Sequence, residues 1–239
     1  MPADDLSGLP PSPPRGADKE ACSLPEKTTG EFVLDAGGFS GFLSRTLFWL
    51  GHTIFRVSFS TVWRLRVQGR DRIPPHGALL FAANHASFAD PPLVGSSVSR
   101  PLYFMAKEEL FQVPILGWLI RHVNAFPIRR KEGDVGAFRT AQRILAAGGA
   151  MIMFPEGRRQ KGGVLGKPKA GLGLLAVKSH TPVVPVYVHN THRLWFFPRL
   201  TVIFGAPLTS VAGETAEIFS QRIMDTIRRL KEEFRGSDC

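Results

Sequence analysis

The chain has 239 residues, 44% of them hydrophobic, with two cysteines and a net charge of +10. That is enough apolar material for one α/β domain or two small ones, and it excludes a disulfide-framed miniprotein. The charge is uneven: residues 1–35 hold seven acidic and three basic residues, a net of −4, leaving +14 on the rest, which favours anionic partners such as a membrane surface, a phosphorylated substrate or a nucleic acid.

Residues 1–36 are rich in proline and charge. They lack the basic-then-apolar order of a secretion signal and read as a disordered tail. Cys22 lies there and Cys239 at the far end; both read as free thiols. Residues 37–63 change character. Positions 39–63 hold seven aromatics and no acidic residue, but Arg45 and Arg56 interrupt the run before it reaches the about 20 apolar residues of a membrane span. On a helix, Arg45, His52 and Arg56 fall within about 40° of one another, a narrow polar stripe beside a wide apolar face. This is the pattern of an amphipathic helix lying in a membrane interface. A helix packed on the protein's own core is the alternative, and Gly51 is a point where the segment divides if it is two helices.

From residue 64 to 236 strand-like and helix-like pieces alternate. VWRLRVQG alternates apolar and polar as a half-buried strand does, and ALLFAAN is a short interior strand. PPLVGSSV starts a short helix with prolines in its first turn. LYFMA is a strand, KEELFQVPILGWLIRHV a helix broken before Pro114, and NAFPI an extended piece. DVGAFRTAQRILAAGG is an amphipathic helix ending in glycines, AMIMF a strand and PEGRRQKGG a loop. AGLGLLAVKSH (helix), PVVPVYV and RLTVIFG (strands) and a long amphipathic C-terminal helix complete the chain. The alternation predicts a single α/β domain with a mixed, largely parallel sheet flanked by helices.

The chemistry-bearing pieces sit where strands end. His85 and Asp90, in NHASFAD, are five apart. On a regular helix they diverge by about 140°, so they meet only if the chain turns between them. Asp90 is a good N-cap ahead of Pro91, and it equally suits orienting His85 as a general base. The strand AMIMF runs into Pro155, Glu156, Gly157, Arg158 and Arg159, a turn whose carboxylate suits a hydroxyl and whose guanidiniums suit a phosphate. NAFPIRR brings Arg129 and Arg130 to the end of another short strand, and TPVVPVYV is an apolar strand with prolines at 182 and 185.

Four blocks in this order, NHASFAD, NAFPIRR, FPEGRR and TPVVPVYV, resemble the glycerolipid acyltransferase family, most closely its bacterial 1-acyl-glycerol-3-phosphate acyltransferases, over about residues 60–210. The resemblance implies a glycerol-3-phosphate acyltransferase-like fold. It also implies acyl transfer from acyl-CoA or acyl-carrier protein to the free hydroxyl of 1-acyl-glycerol-3-phosphate (lysophosphatidic acid), giving phosphatidic acid. It makes His85 the catalytic base and Asp90 its orienting carboxylate. It associates Arg130, Glu156, Gly157 and Arg159 with the acceptor and its phosphate, with Lys107 and Lys169 at positions where the family often has lysines, and Pro185 lining the site. The thioester is a co-substrate, and no metal or redox cofactor is implied. The expected setting is the cytoplasmic face of the cell membrane, held by residues 39–63. Asn124, Arg158 and Gln160 depart from the family's usual glycine, threonine and serine, which bears on the choice of acceptor; another lyso-lipid is the alternative.

Other chemistries fit less well. VGSSVS lacks the second glycine of a serine-hydrolase elbow. GLGLLA mimics a dinucleotide fingerprint, but no acidic residue follows near 20 positions on. His189 and His192 are too isolated for a zinc pair. A non-catalytic basic binder of membrane or nucleic acid would explain the charge but not a histidine and a glutamate at strand ends.

Overall fold

The structure, a computed structural model, describes residues 38–121, 124–129 and 134–237. The Pro-rich tail expected at 1–36, both cysteines and Arg130 lie outside them.

One sheet of seven strands organises the described residues: β1 (Arg66–Gln68), β2 (Leu79–Ala83), β3 (Leu102–Lys107), β4 (Ala125–Ile128), β5 (Ala150–Met153), β6 (Val183–His189) and β7 (Thr201–Phe204). Their order is β1-β7-β6-β2-β5-β3-β4. β6, β2, β5, β3 and β4 are parallel; β7 runs antiparallel to β6, and β1 follows β7. This is the mixed, largely parallel sheet that the alternation predicts. The helices are α1 (Gly38–Thr61), α2 (Asp90–Ser96), α3 (Pro114–Arg121), α4 (Val135–Ala146), α5 (Ala170–Ser179) and α6 (Ala216–Ser237).

The inner strands are apolar on both faces because both faces are covered. Every residue of β2 is buried. Leu80, Ala82, Met151 and Tyr187 pack with Ile144 of α4, Leu175 of α5 and Ile223 of α6. Their alternates Leu79, Phe81, Ile152 and Val186 pack with Phe59 of α1 and Leu93 of α2. Prolines fall where a missing N–H does no harm. Pro127 is in β4, at the sheet edge. Pro185 sits between the Val183–Leu208 bridge and the first β6–β7 pair, Val186–Phe204, where the ladder to β7 is interrupted.

Local chemistry sets the helix ends. Asp134 caps α4 by accepting the Ala137 N–H at 2.9 Å, and Gly148 follows the helix at φ 77°. Gly173, in the fragment that mimics a dinucleotide fingerprint, serves packing instead. Its N–H reaches Ser220 Oγ of α6 at 3.0 Å, and a methyl group there would strike the Ala216 carbonyl.

α1 is one continuous helix through Gly51. Phe48 and Phe59 are buried on its inner side, where His52 Nε2 lies 3.1 Å from the Val98 carbonyl after α2. Leu50, Ile54 and Val57 are exposed on the opposite side. The polar stripe expected from the periodicity therefore points partly inward: His52 faces the domain, Arg56 is exposed, and the side chain of Arg45 is outside the described set. Periodicity identifies the stripe; it does not say how much of the wide apolar face the protein itself claims. Among the described residues no helix is long and apolar enough to cross a membrane.

Candidate active site

β2 and β5 are neighbours, and each stops at the sheet's carboxyl edge, the edge where open α/β sheets place ligands. β2 delivers Asn84 and His85; β5 delivers Phe154, Pro155 and Glu156. Asn84 is buried and clamps β2 to β6 with both ends of its amide, donating to the Val188 carbonyl at 3.0 Å and accepting the Val188 N–H at 2.7 Å. The end of β2 is thereby fixed before the chain turns.

His85 is held at four points. Its ring Nδ1 lies 2.8 Å from Asp90 Oδ2. Its backbone N–H donates to Glu156 Oε2 at 3.0 Å, and its carbonyl accepts the Gln160 N–H at 2.7 Å. Its ring stacks on Phe154, centroids 4.0 Å apart and planes 19° apart. The His85 side chain keeps 11% exposure while Asp90 keeps none. With Nδ1 committed to Asp90, Nε2 is the nitrogen left for a substrate.

Asp90 does not cap α2 in the expected way. Its Oδ2 accepts the N–H groups of Ala86 and Ser87, both at 2.7 Å, on the upstream side. It caps the turn that carries His85, which lets a pair five residues apart meet. Its other oxygen, Oδ1, is buried with no hydrogen-bond partner among the described residues.

Glu156 keeps only 2% exposure, and each oxygen accepts a backbone N–H: Oε2 from His85, Oε1 from Gly166 at 2.8 Å. Burial pushes its carboxyl above the usual carboxylate range, against the pull of those two N–H groups. Gly157 follows at φ 66°, a conformation that favours glycine, and the Lys169 side chain passes directly over it. The Arg159 guanidinium lies 3.5 Å from the centre of the exposed Phe88 ring.

The structure thus brings together His85, Asp90, Glu156, Gly157 and Lys169, with Arg159 on the turn that carries them. Lys107 ends β3, two strands from β2, with its Nζ engaged by Glu109 at 2.7 Å. Arg129 is bound through its guanidinium to Glu108.

The family model described as "Acyltransferase" matches residues 64–189, more than half of the chain. The chain belongs to the acyltransferase family. Among curated members it is similar to the 1-acyl-sn-glycerol-3-phosphate acyltransferase of Streptococcus pneumoniae, 30% identical over 174 residues that make up 68% of this chain and 64% of that one. A chloroplastic 1-acyl-sn-glycerol-3-phosphate acyltransferase of Brassica napus is 27% identical over 141 residues, 58% of this chain. The matched stretch spans about two fifths of the length of the chloroplastic relatives from Brassica napus and Arabidopsis thaliana. The crystal structure of the 1-acyl-sn-glycerophosphate (LPA) acyltransferase PlsC from Thermotoga maritima superposes with a TM-score of 0.67 at 28% identity, covering 81% of this acyltransferase and 80% of that chain. The fold is the α/β fold of that acyltransferase, as the four blocks imply.

Sequence reasoning missed two members of the site. Asn84 carried a signal: it is a lone amide ending a fully apolar strand, next to the histidine. Phe154 carried none, because in sequence it is one more apolar residue at the end of AMIMF.

Proposed function

We propose that this acyltransferase moves a fatty acyl group from acyl-CoA or acyl-carrier protein to the free hydroxyl of 1-acyl-glycerol-3-phosphate, giving phosphatidic acid. The observation that carries the reading is His85 itself: its ring is oriented by a buried carboxylate and its backbone is fixed on both sides, at the carboxyl edge of the sheet.

His85 Nε2 takes the proton of the acceptor hydroxyl as the oxygen attacks the thioester carbonyl. The tetrahedral adduct collapses, the C–S bond breaks, and the departing thiolate receives that proton from the imidazolium. Asp90 keeps Nδ1 protonated and stabilises the cation that forms between the two transfers. No acyl-enzyme is required. The acceptor's phosphate is met by Arg159 and Lys169 beside Gly157, with Arg130 and Lys107 as further cations. Glu156 acts as a positioning residue, because both of its oxygens hold backbone N–H groups.

The same reading places the protein on the cytoplasmic face of the cell membrane. α1 supports it: one apolar side is docked through Phe48 and Phe59, and the other presents Leu50, Ile54 and Val57 outward, which suits a bilayer interface. In domain terms we assign 37–63 to surface attachment and 64–236 to catalysis.

The test is acyl transfer from a long-chain acyl-CoA to lysophosphatidic acid in detergent or vesicles, wild type against His85→Ala. Turnover that disappears in the variant supports the base role. Full turnover in the variant overturns the mechanism, and a wild type that turns over only another lyso-lipid overturns the acceptor.

A further inference from the structure

The chain leaves β6 at His189 and turns at once into a short 3-10 helix, Thr191–Phe196, before returning as β7. β6 is parallel to β2, and Asn84 binds both backbone groups of Val188, so this turn stands at the same sheet edge as His85. It also abuts the loop that follows Glu156: a methyl group at Gly163 would meet the His192 ring.

The inner side of the turn is tied down. Thr191 is buried. The Trp63 indole N–H donates to the Leu194 carbonyl at 2.9 Å, and the indole stacks on Phe197 with centroids 5.7 Å apart. Trp63 lies two residues past the end of α1, so the turn and the helix share one partly buried post.

The outer side is different. Residues 195–197 are three consecutive large aromatics, with Trp195 86% and Phe196 84% exposed. Phe197 closes the turn at φ 49°, a costly conformation for a bulky residue, and the chain holds it there. Single exposed apolar side chains are ordinary; a cluster of adjacent large aromatics marks a contact surface. The surrounding charge names the contact. Arg193 and Arg199 flank the aromatics, and residues 157–213 contain eight lysines and arginines and no acidic residue.

We infer that Trp195 and Phe196 form a second point of insertion into an anionic bilayer surface, separate from α1 and beside the active-site edge. Exposed indole and phenyl rings on a turn flanked by Arg193 and Arg199 match the head-group boundary of a membrane with negatively charged lipid. α1 alone would leave the domain free to roll about the helix axis. A second anchor on the far side of Trp63 removes that freedom and holds the edge carrying His85 toward the lipid. The purpose of the anchor rests on the membrane-surface reading above; its measurement does not, because binding is read without turnover.

The experiment is co-sedimentation of the full chain with vesicles of phosphatidylcholine, with and without phosphatidylglycerol. The double variant Trp195→Ser, Phe196→Ser is expected to partition onto the anionic vesicles about tenfold or more weakly than wild type. Its thermal midpoint is expected to be unchanged, since both side chains are exposed. Brominated lipid is expected to quench part of the wild-type tryptophan emission, and Trp195→Phe to lose that part. Wild-type partitioning in the double variant, with all the loss instead in Leu50→Ser, Ile54→Ser, overturns the inference. So does a quenchable fraction untouched by Trp195→Phe. Unchanged vesicle binding with lost binding of acyl-carrier protein assigns the turn to a protein partner and also overturns it. A wild type that binds vesicles through this turn but transfers no acyl group leaves the inference standing and sinks only the reaction.

Discussion

Asp90 Oδ2 lies 2.8 Å from His85 Nδ1, and the same oxygen accepts the N–H groups of Ala86 and Ser87. One buried atom therefore sets both the path of the turn and the orientation of the ring. Asp90→Asn keeps a carbonyl acceptor but removes the charge that stabilises an imidazolium. The expected result is a fall in kcat of roughly a hundredfold or more with KM little changed, in the range of a lost general base. Steady-state kinetics on wild type and variant check it: Asp90→Asn within a few-fold of wild type would show that His85 works unaided.

Phe154 faces the His85 ring at 4.0 Å. Such a stack is worth about 0.5–1.5 kcal/mol. Phe154→Ala is expected to lower kcat roughly tenfold by loosening the ring, again with KM little changed, and Phe154→Tyr to restore it. A rise in KM at constant kcat would make Phe154 a substrate contact instead.

Glu156 gives a pH signature. Burial raises its carboxyl in the folded protein above the unfolded value, so the folded state binds that proton more tightly and acid favours folding at this site. Glu156→Gln is silent to pH. The wild type should therefore gain melting temperature relative to Glu156→Gln as pH falls through the raised carboxyl range toward the ordinary one, with the gain complete below it. Parallel melting curves at every pH would contradict the burial argument. Because Gln offers one acceptor where Glu156 serves two N–H groups, the variant is also expected to be less stable near neutrality, by about 1–3 kcal/mol for an orphaned buried donor.

Gly173 tests the packing of α5 on α6. Gly173→Ala places a methyl against the Ala216 carbonyl, which is backbone and moves only with α6. The expected cost is about 1–3 kcal/mol, a melting drop on the order of 5 °C, measured by calorimetry. An unchanged midpoint would mean that α6 shifts freely.

The strands were legible because burial on both faces leaves near-continuous apolar runs, as in AMIMF and PVVPVYV, and the helix ends because Asp134 and Gly148 are strong local signals. His85, Asp90 and Glu156 were legible as motif residues. The backward cap by Asp90, the Asn84 clamp and the ring under His85 depend on neighbours distant in sequence or on the path of a turn, and local composition does not encode these. For the same reason the periodicity of α1 described a wide apolar face without dividing it between core and surface.

The loop after β5 is stapled twice. Glu156 joins Gly166 across ten residues, and Gln160 joins the His85 carbonyl. His85 and the loop beside it therefore move as one piece. A displacement of the loop would carry the His85 backbone with it. Two backbone-anchored hydrogen bonds fix where this loop starts and returns. Freeing the loop from His85 therefore takes a change at Glu156 or at the Gln160 backbone, not at the exposed Arg158 or Arg159 side chains.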